Sequence, residues 1–211
     1  QLKAKIEKLA EESGAELRYI AQIRNEPYIE DIFRCMDEVR EFEPDMILAI
    51  GGGSVLDTAK AIHLFYENPE MSFEEATIPY ALPALGKKAI HVAVPTTSGT
   101  GSETTSCAVF IDPETKTKKL LLDNTIIPHY AILDADMTDS LPTSITVATG
   151  LDALTHSIEA STAMNASAMT RAIAMEAAVD ILENLEGHDD SSLPLYNVYK
   201  AECLALITAH L

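Results

Sequence analysis

Asp152 and His156 stand four residues apart in the run ITVATGLDALTHSIEAS, residues 145 to 161. That run reads as helix, so the two side chains project from one face, roughly 6 Å apart at Cβ. A carboxylate and an imidazole so placed can grip one divalent ion. One helix rarely supplies more than two ligands, so a four-coordinate site must recruit the others from elsewhere in the fold. The same spacing also arises as an ordinary surface pair. Two loops upstream set this one apart.

The first loop is Gly51-Gly52-Gly53-Ser54, which follows the apolar run Met46 to Ile50 and precedes a helical pattern. Glycine there lets backbone approach a phosphate, and the helix N-terminus supplies N–H donors. The pattern is neither Gly-x-Gly-x-x-Gly nor a Walker loop, and a tight turn with no ligand would look the same. The second loop, Pro95-Thr96-Thr97-Ser98-Gly99-Thr100-Gly101-Ser102-Glu103, packs hydroxyls and glycines after another apolar run. Such a loop offers side-chain and backbone donors to phosphate or ribose oxygens. Two loops at the C-terminal ends of neighbouring strands would face one crevice, where open α/β sheets bind ligands.

The elements that must position these residues can be read in order. Helical spacing covers Gln1 to Glu12 and Ile29 to Phe42, with a short strand expected at Glu16 to Ile20. Met46 to Ile50 reads as a buried strand, and Val55 to Tyr66 as the helix after the glycine turn. Residues 67 to 88 carry prolines and look like a long connection, followed by a buried strand at Ala89 to Val94. Cys107 to Ile111 and Leu120 to Leu122 flank the turn Asp112-Pro113-Glu114-Thr115 as a hairpin, and Tyr130 to Leu133 is a last short strand. From about residue 143 alanine-rich helical patterns take over: Thr143 to Ala163, Met169 to Leu185 and roughly Leu195 to Leu211, with a polar linker at Gly187 to Pro194. The expected organisation is an α/β domain over residues 1–142 and helices of a second, all-α domain over 143–211.

Composition narrows the function. With 211 residues and 47% hydrophobic content the chain can bury a true core. A net charge of −18 argues against a nucleic-acid partner, which requires clustered Lys and Arg. Cys35, Cys107 and Cys203 are widely spaced and odd in number, which fits reduced thiols in a cytoplasmic protein. No apolar run approaches membrane-spanning length, and the start lacks a basic-then-apolar signal pattern, so no membrane partner is expected.

Four separated stretches together resemble the iron-containing, or group III, alcohol dehydrogenase family: DMILAIGGGSVLDTAK from Asp45 to Lys60, VPTTSGTGSE from Val94 to Glu103, ILDADMTDSLP from Ile132 to Pro142 and TGLDALTHSIE from Thr149 to Glu159. They stand in the family's order and also resemble the alcohol dehydrogenase half of bifunctional aldehyde-alcohol dehydrogenases. The resemblance implies a dehydroquinate synthase-like architecture: a parallel-sheet, dinucleotide-binding α/β domain, then an all-α metal-binding domain, with the active site between them. It implies hydride transfer between a small alcohol and NAD or NADP, with Fe(II) or Zn(II) as the ion. By motif position Gly51, Gly52, Gly53 and Ser54 would hold the pyrophosphate, and Thr96, Thr97, Ser98 and Thr100 the nicotinamide and ribose side. Lys118 or Lys119 corresponds to a lysine pointed at the cofactor ribose. Asp152 and His156 correspond to the first two metal ligands.

The chain also departs from the family pattern. Two further histidine ligands are expected beyond Leu211; His188 and His210 lack the expected surroundings, and His63, His91 and His129 read as surface or packing residues. A first strand would precede Gln1, and Glu26-Pro27 stands where the family often has Asn-Pro. The reading is therefore of a piece of a longer enzyme, weak in metal binding and in activity and open to self-association. A glycerol dehydrogenase-like or dehydroquinate synthase-like enzyme, or a non-catalytic nucleotide-binding or oligomerising module, are the alternatives.

Overall fold

The computed structural model of the chain describes residues 2–20, 23–24 and 27–185. Eleven helices and strands follow in order: α1 (Leu2–Ser13), α2 (Ile29–Phe42), β1 (Met46–Gly51), α3 (Gly53–Glu67), α4 (Phe73–Ala76), β2 (Ile90–Pro95), β3 (Cys107–Ile111), β4 (Lys118–Leu122), β5 (Tyr130–Ala131), α5 (Thr143–Thr162) and α6 (Ala168–Leu185). β1, β2 and β5 form a parallel sheet in that spatial order, and β3 with β4 forms the antiparallel hairpin.

Local chemistry sets the boundaries. Glu43 takes a left-handed conformation after α2, and Pro44, which cannot continue a helix, follows it. α4 is a single turn inside the expected long connection. It forms because Ser72 and Glu75 make a reciprocal capping box that the sequence reading passed over. Its Phe73 completes a chain of rings, Phe33 to Phe65 to Phe73 to Phe110, with centroids 5.1, 6.2 and 5.9 Å apart. That chain joins α2 and α3 to the hairpin across the main core, where Ile32, Met36, Leu64 and Leu121 are also buried. Each such side chain contributes about 1.5–3 kcal/mol relative to leaving it in water.

Two expectations are corrected. Glu16 to Ile20 is not a strand: it is tied to α2 by an ion pair between Arg18 and Glu38 at 3.6 Å and has no strand partner among the described residues. β1 is not buried throughout, because its free edge lies beside a cavity of about 400 Å³ lined by α1, residues 16–20, β1 and α3, and Met46 and Leu48 are exposed. An apolar run fixes strand propensity but not whether a neighbour covers both faces. None of the cavity's lining residues comes from the threonine loop or α5, so it is separate from the candidate site.

α5 and α6 pack on each other through small residues. Ala153, Ala160, Ala174 and Ala177 are buried at or below 5% exposure, which lets the backbones approach, and Ile181 fills the seam. A Cβ on Gly150 would come within 2.8 Å of Leu185 Cδ2, so glycine lets α5 meet the end of α6 without displacing the Leu185 side chain. The third expected helix, from about Leu195, lies outside the described residues, as do the polar linker, His188 and His210. No helix among the described residues is long and apolar enough to cross a membrane.

Candidate functional site

β1 and β2 are paired in register through to Gly51 and Pro95, so the glycine turn and the threonine loop leave the sheet at the same level. The Thr96 N–H donates to the Gly51 carbonyl at 3.0 Å and extends that pairing one step beyond the strands. The two loops then touch. A Cβ on Gly52 would stand 3.2 Å from Thr97 Cγ2, and one on Gly53 would stand 2.8 Å from Thr100 Cγ2 and 2.9 Å from its Oγ1. The glycines are thus needed for close approach of one loop to the other, beyond any role at a ligand. Thr96, Thr97 and Thr100 are half-buried at this edge, Ser54 is half-buried at the start of α3, and Ser98 is buried.

Behind the threonine loop lies a polar pair from α3. Lys60 is fully buried, and its ammonium donates to Thr105 O at 2.9 Å, Thr105 Oγ1 at 3.0 Å and Cys107 O at 2.8 Å. Asp57 accepts from the Ser102 hydroxyl at 2.5 Å and from the Val109 N–H at 2.9 Å. Asp57 and Lys60 approach to 4.0 Å. Burial brings Lys60 down to about 8 against the opposing pull of Asp57, and burial likewise pushes the Asp57 carboxyl up.

On the other side the loop meets α5. A Cβ on Gly99 would fall 2.5 Å from both Cβ and the carbonyl oxygen of Thr149 and 2.8 Å from its Cα. Thr149, Asp152 and His156 follow at helical spacings of three and four, so they share one stripe of α5. The stripe that touches the threonine loop at Gly99 therefore continues into the carboxylate and imidazole, one and two turns further on. His156 Nε2 lies 3.9 Å from Asp152 Oδ1, too long for a hydrogen bond, and His156 Nδ1 is buried with no partner among the described residues. An imidazole left this way fits a ligand role, with the exposed Asp152 carboxylate beside it. The pair supplies two donors; among the described residues no group of three or more His, Cys, Asp or Glu side chains could hold a metal ion.

Lys118 and Lys119 sit on β4 and point to opposite faces. Lys119 pairs with Phe110 on the core side, and Lys118 pairs with Ile111 on the outer side. Only one of them can serve any single ligand. Asp57, Lys60, Gly99 and Thr149 escaped the sequence reading as site residues. For Asp57 and Lys60 a signal existed: two charges three apart in a helix that carries Leu56, Ala59, Ala61 and Ile62 around them.

Comparison with known proteins decides the family. A model described as iron-containing alcohol dehydrogenase matches residues 1–135, and one for the C-terminal part of the Fe-containing alcohol dehydrogenase family matches 146–206. The chain belongs to the iron-containing alcohol dehydrogenase family. It is 39% identical over 195 residues to the NADPH-dependent butanol dehydrogenase of Clostridium saccharobutylicum, covering 92% of this chain and 50% of that one. To a probable alcohol dehydrogenase, EutG, of Salmonella typhimurium it is 40% identical, covering 85% of this chain and 46% of the other. The iron-containing alcohol dehydrogenase of Thermococcus thioreducens superposes with a TM-score of 0.89 at 34% identity, over 100% of this chain and 57% of that structure. The chain thus spans about half the length of these relatives. The likeness to that iron-containing alcohol dehydrogenase carries the expected fold class, a parallel-sheet α/β unit leading into helices.

Proposed function

We propose that this chain carries the nucleotide loops and the first two metal ligands of an NAD(P)-dependent alcohol dehydrogenase acting on a small alcohol or its aldehyde. The boundary falls near residue 142, between an α/β nucleotide-binding unit and the opening helices of a metal-binding unit. The observation that carries the reading is the convergence on the threonine loop: the glycine turn packs on it at Thr97 and Thr100, and the Thr149–Asp152–His156 stripe of α5 meets it at Gly99. Bound there, NAD(P) would supply hydride chemistry at the nicotinamide, and a divalent ion Lewis acidity toward an alcohol or carbonyl oxygen.

The chain's own residues have distinct tasks. Gly51, Gly52 and Gly53 keep the backbone bare where a pyrophosphate would lie, and Ser54 opens the helix whose N-terminus favours its charge. The hydroxyls of Thr96, Thr97 and Thr100, with Ser98 behind them, line the nicotinamide and ribose side, and Lys118 or Lys119 reaches the ribose. Asp152 and His156 give one carboxylate and one imidazole, a donor set suited to Fe(II) and to Zn(II). The butanol dehydrogenase relative is named for NADPH, which makes NADP the first cofactor to try beside NAD. Exposed Leu151, Ile158, Met175, Val179 and Leu182 on α5 and α6 favour self-association.

Calorimetric titration of the chain with NADH and NADPH, then with Fe(II) under anaerobic conditions or Zn(II), tests the reading. Nucleotide binding that Gly53→Val abolishes, and metal binding that His156→Ala weakens about tenfold or more, are the expected results. A folded chain that binds neither nucleotide would overturn it.

A further inference from the structure

We infer that Asp57 and Lys60 are positioning residues of the nucleotide site, holding the threonine loop from behind so that Thr97 and Thr100 face the glycine turn, without touching a cofactor themselves. The inference rests on the reading of that loop as a nucleotide-binding element.

A buried ammonium is costly in a protein interior, and most of the residues α3 buries around it, Leu56, Ile62, Leu64 and Phe65 among them, are hydrocarbon. Lys60 is retained among them with each of its three hydrogens assigned an acceptor, two of which are the main-chain carbonyls of Thr105 and Cys107. Those carbonyls belong to the stretch where the loop turns into β3, and inside the fold they need donors. The ammonium thus acts as a template on which that stretch is shaped. A hydrocarbon of the same length would fill the space but take the ammonium away from both carbonyls, leaving Cys107 O only the longer bond from the Thr105 hydroxyl at 3.3 Å.

Asp57 does the complementary work. Its two carboxylate oxygens divide between the loop and the hairpin, Oδ1 taking the Ser102 hydroxyl and Oδ2 the Val109 N–H. One side chain accepts where the other donates, and together they fix residues 102 to 109 from a single helical turn. The near end of the loop is set separately, by the Thr96 N–H on Gly51 O. The part left to present side chains is therefore Thr97 to Gly101. It is bounded at both ends by contacts to β1 or α3, and its Thr100 hydroxyl accepts from the Ser102 N–H at 3.4 Å. The glycine turn is the start of that same α3, so one rigid helix sets both loops. Buried Glu103 also lies close enough to help hold Lys60 charged.

The test uses the full chain with threonine methyl labelling, NADH fluorescence titration, and the variants Lys60→Met and Ser102→Ala. Lys60→Met is expected to keep the wild-type far-ultraviolet dichroism, to shift or broaden the Thr97 and Thr100 methyl resonances, and to raise the Kd for NADH about tenfold. Ser102→Ala, a milder loss on the Asp57 side, moves the Thr100 resonance and raises the Kd about threefold. In the wild-type chain the Thr105 methyl titrates with a midpoint near 8, where Lys60 loses its third donor, and in Lys60→Met it does not. Unchanged Thr97 and Thr100 resonances in a folded Lys60→Met variant overturn the inference. If that variant does not fold, unchanged Thr100 resonances in Ser102→Ala overturn it instead. Methyl shifts in the variants together with a wild-type chain that binds no NADH uphold the positioning and remove the nucleotide role.

Discussion

Replacing Gly99 by alanine should separate the threonine loop from α5. The added Cβ would lie 2.5 Å from Thr149 Cβ, 2.5 Å from Thr149 O and 2.8 Å from Thr149 Cα, and none of these atoms can swing away. Overpacking against well-ordered surroundings costs about 1–3 kcal/mol, and a contact with main chain belongs at the top of that range. With a urea slope of about 2 kcal/mol/M, a loss of about 3 kcal/mol lowers the unfolding midpoint by about 1.5 M. Gly53→Ala provides the contrast, because the three atoms nearest its Cβ all belong to the Thr100 side chain, at 2.8 Å for Cγ2, 2.9 Å for Oγ1 and 3.1 Å for Cβ. Thr100→Ala removes the first two atoms and should recover most of the Gly53→Ala loss in a double-mutant cycle. Thr149→Ala leaves all three contacts of residue 99 in place and should recover nothing. A Gly99→Ala midpoint within about 0.5 M of wild type, or its rescue by Thr149→Ala, would refute the claim that the loop is packed on the α5 backbone.

Two further outcomes follow from the far end of α3. Burial holds His63 below its ordinary 6.5 and His91 down to about 3, and the rings of His91 and His129 lie 5.8 and 5.6 Å from that of His63. The unfolded chain takes up these protons near pH 6.5 and the folded chain does not. The contribution is complete above that pH and is lost as pH falls, at up to about 1.4 kcal/mol per unit for each histidine. Urea midpoints at pH 7.5 and 5.0 should differ accordingly, and His91→Leu should flatten the trend; an unchanged slope in that variant would count against it. Glu67 accepts from the main-chain N–H groups of Gly86, Lys87, Lys88 and Ala89 at 3.0 to 3.2 Å and lies 3.3 Å from His63 Nε2. Burial alone would raise its carboxyl, but the N–H groups of Lys88, Lys87 and Ala89, with His63, hold it below the ordinary glutamate value. Glu67→Gln puts an amide N–H₂ against N–H donors and should cost about 2–3 kcal/mol in thermal or urea unfolding; a loss under about 0.5 kcal/mol would contradict this account.

Much of this was legible in the sequence. The helices α2, α3, α5 and α6, the hairpin and the strands β1 and β2 follow from apolar period and from turn residues such as Pro44 and Asp112-Pro113. Asp152 and His156 do share a helix face, and the two loops do leave adjacent strands side by side. What periodicity did not carry was neighbourhood. Residues 16–20 have strand composition but no partner strand among the described residues, and they are irregular. Met46 and Leu48 are apolar yet exposed, because exposure depends on what lies across the sheet edge. Gly99 reads as one more loop glycine until Thr149, fifty residues later in the chain, is seen against it.

The polar positions of α3 show how a buried helix can encode placement as well as packing. Asp57, Lys60, His63 and Glu67 recur at spacings of three and four along one stripe of a helix whose other residues are largely hydrocarbon. Each engages main chain either just before β2 or at the start of β3. Glu67 and His63 take the N–H groups and carbonyl of residues 86 to 89 before the strand, and Lys60 and Asp57 take the carbonyls and N–H of residues 105 to 109 after it. Hydrophobic contact between a helix and a sheet tolerates sliding, since apolar area is gained at many registers. Four directed hydrogen-bonding side chains do not, because a one-residue slip leaves buried donors and acceptors unpaired. The stripe therefore fixes the entry to β2 and the start of β3 lengthwise against α3. The threonine loop runs between those two strands, so the strand before it and the strand after it are both registered on the helix that the glycine turn opens.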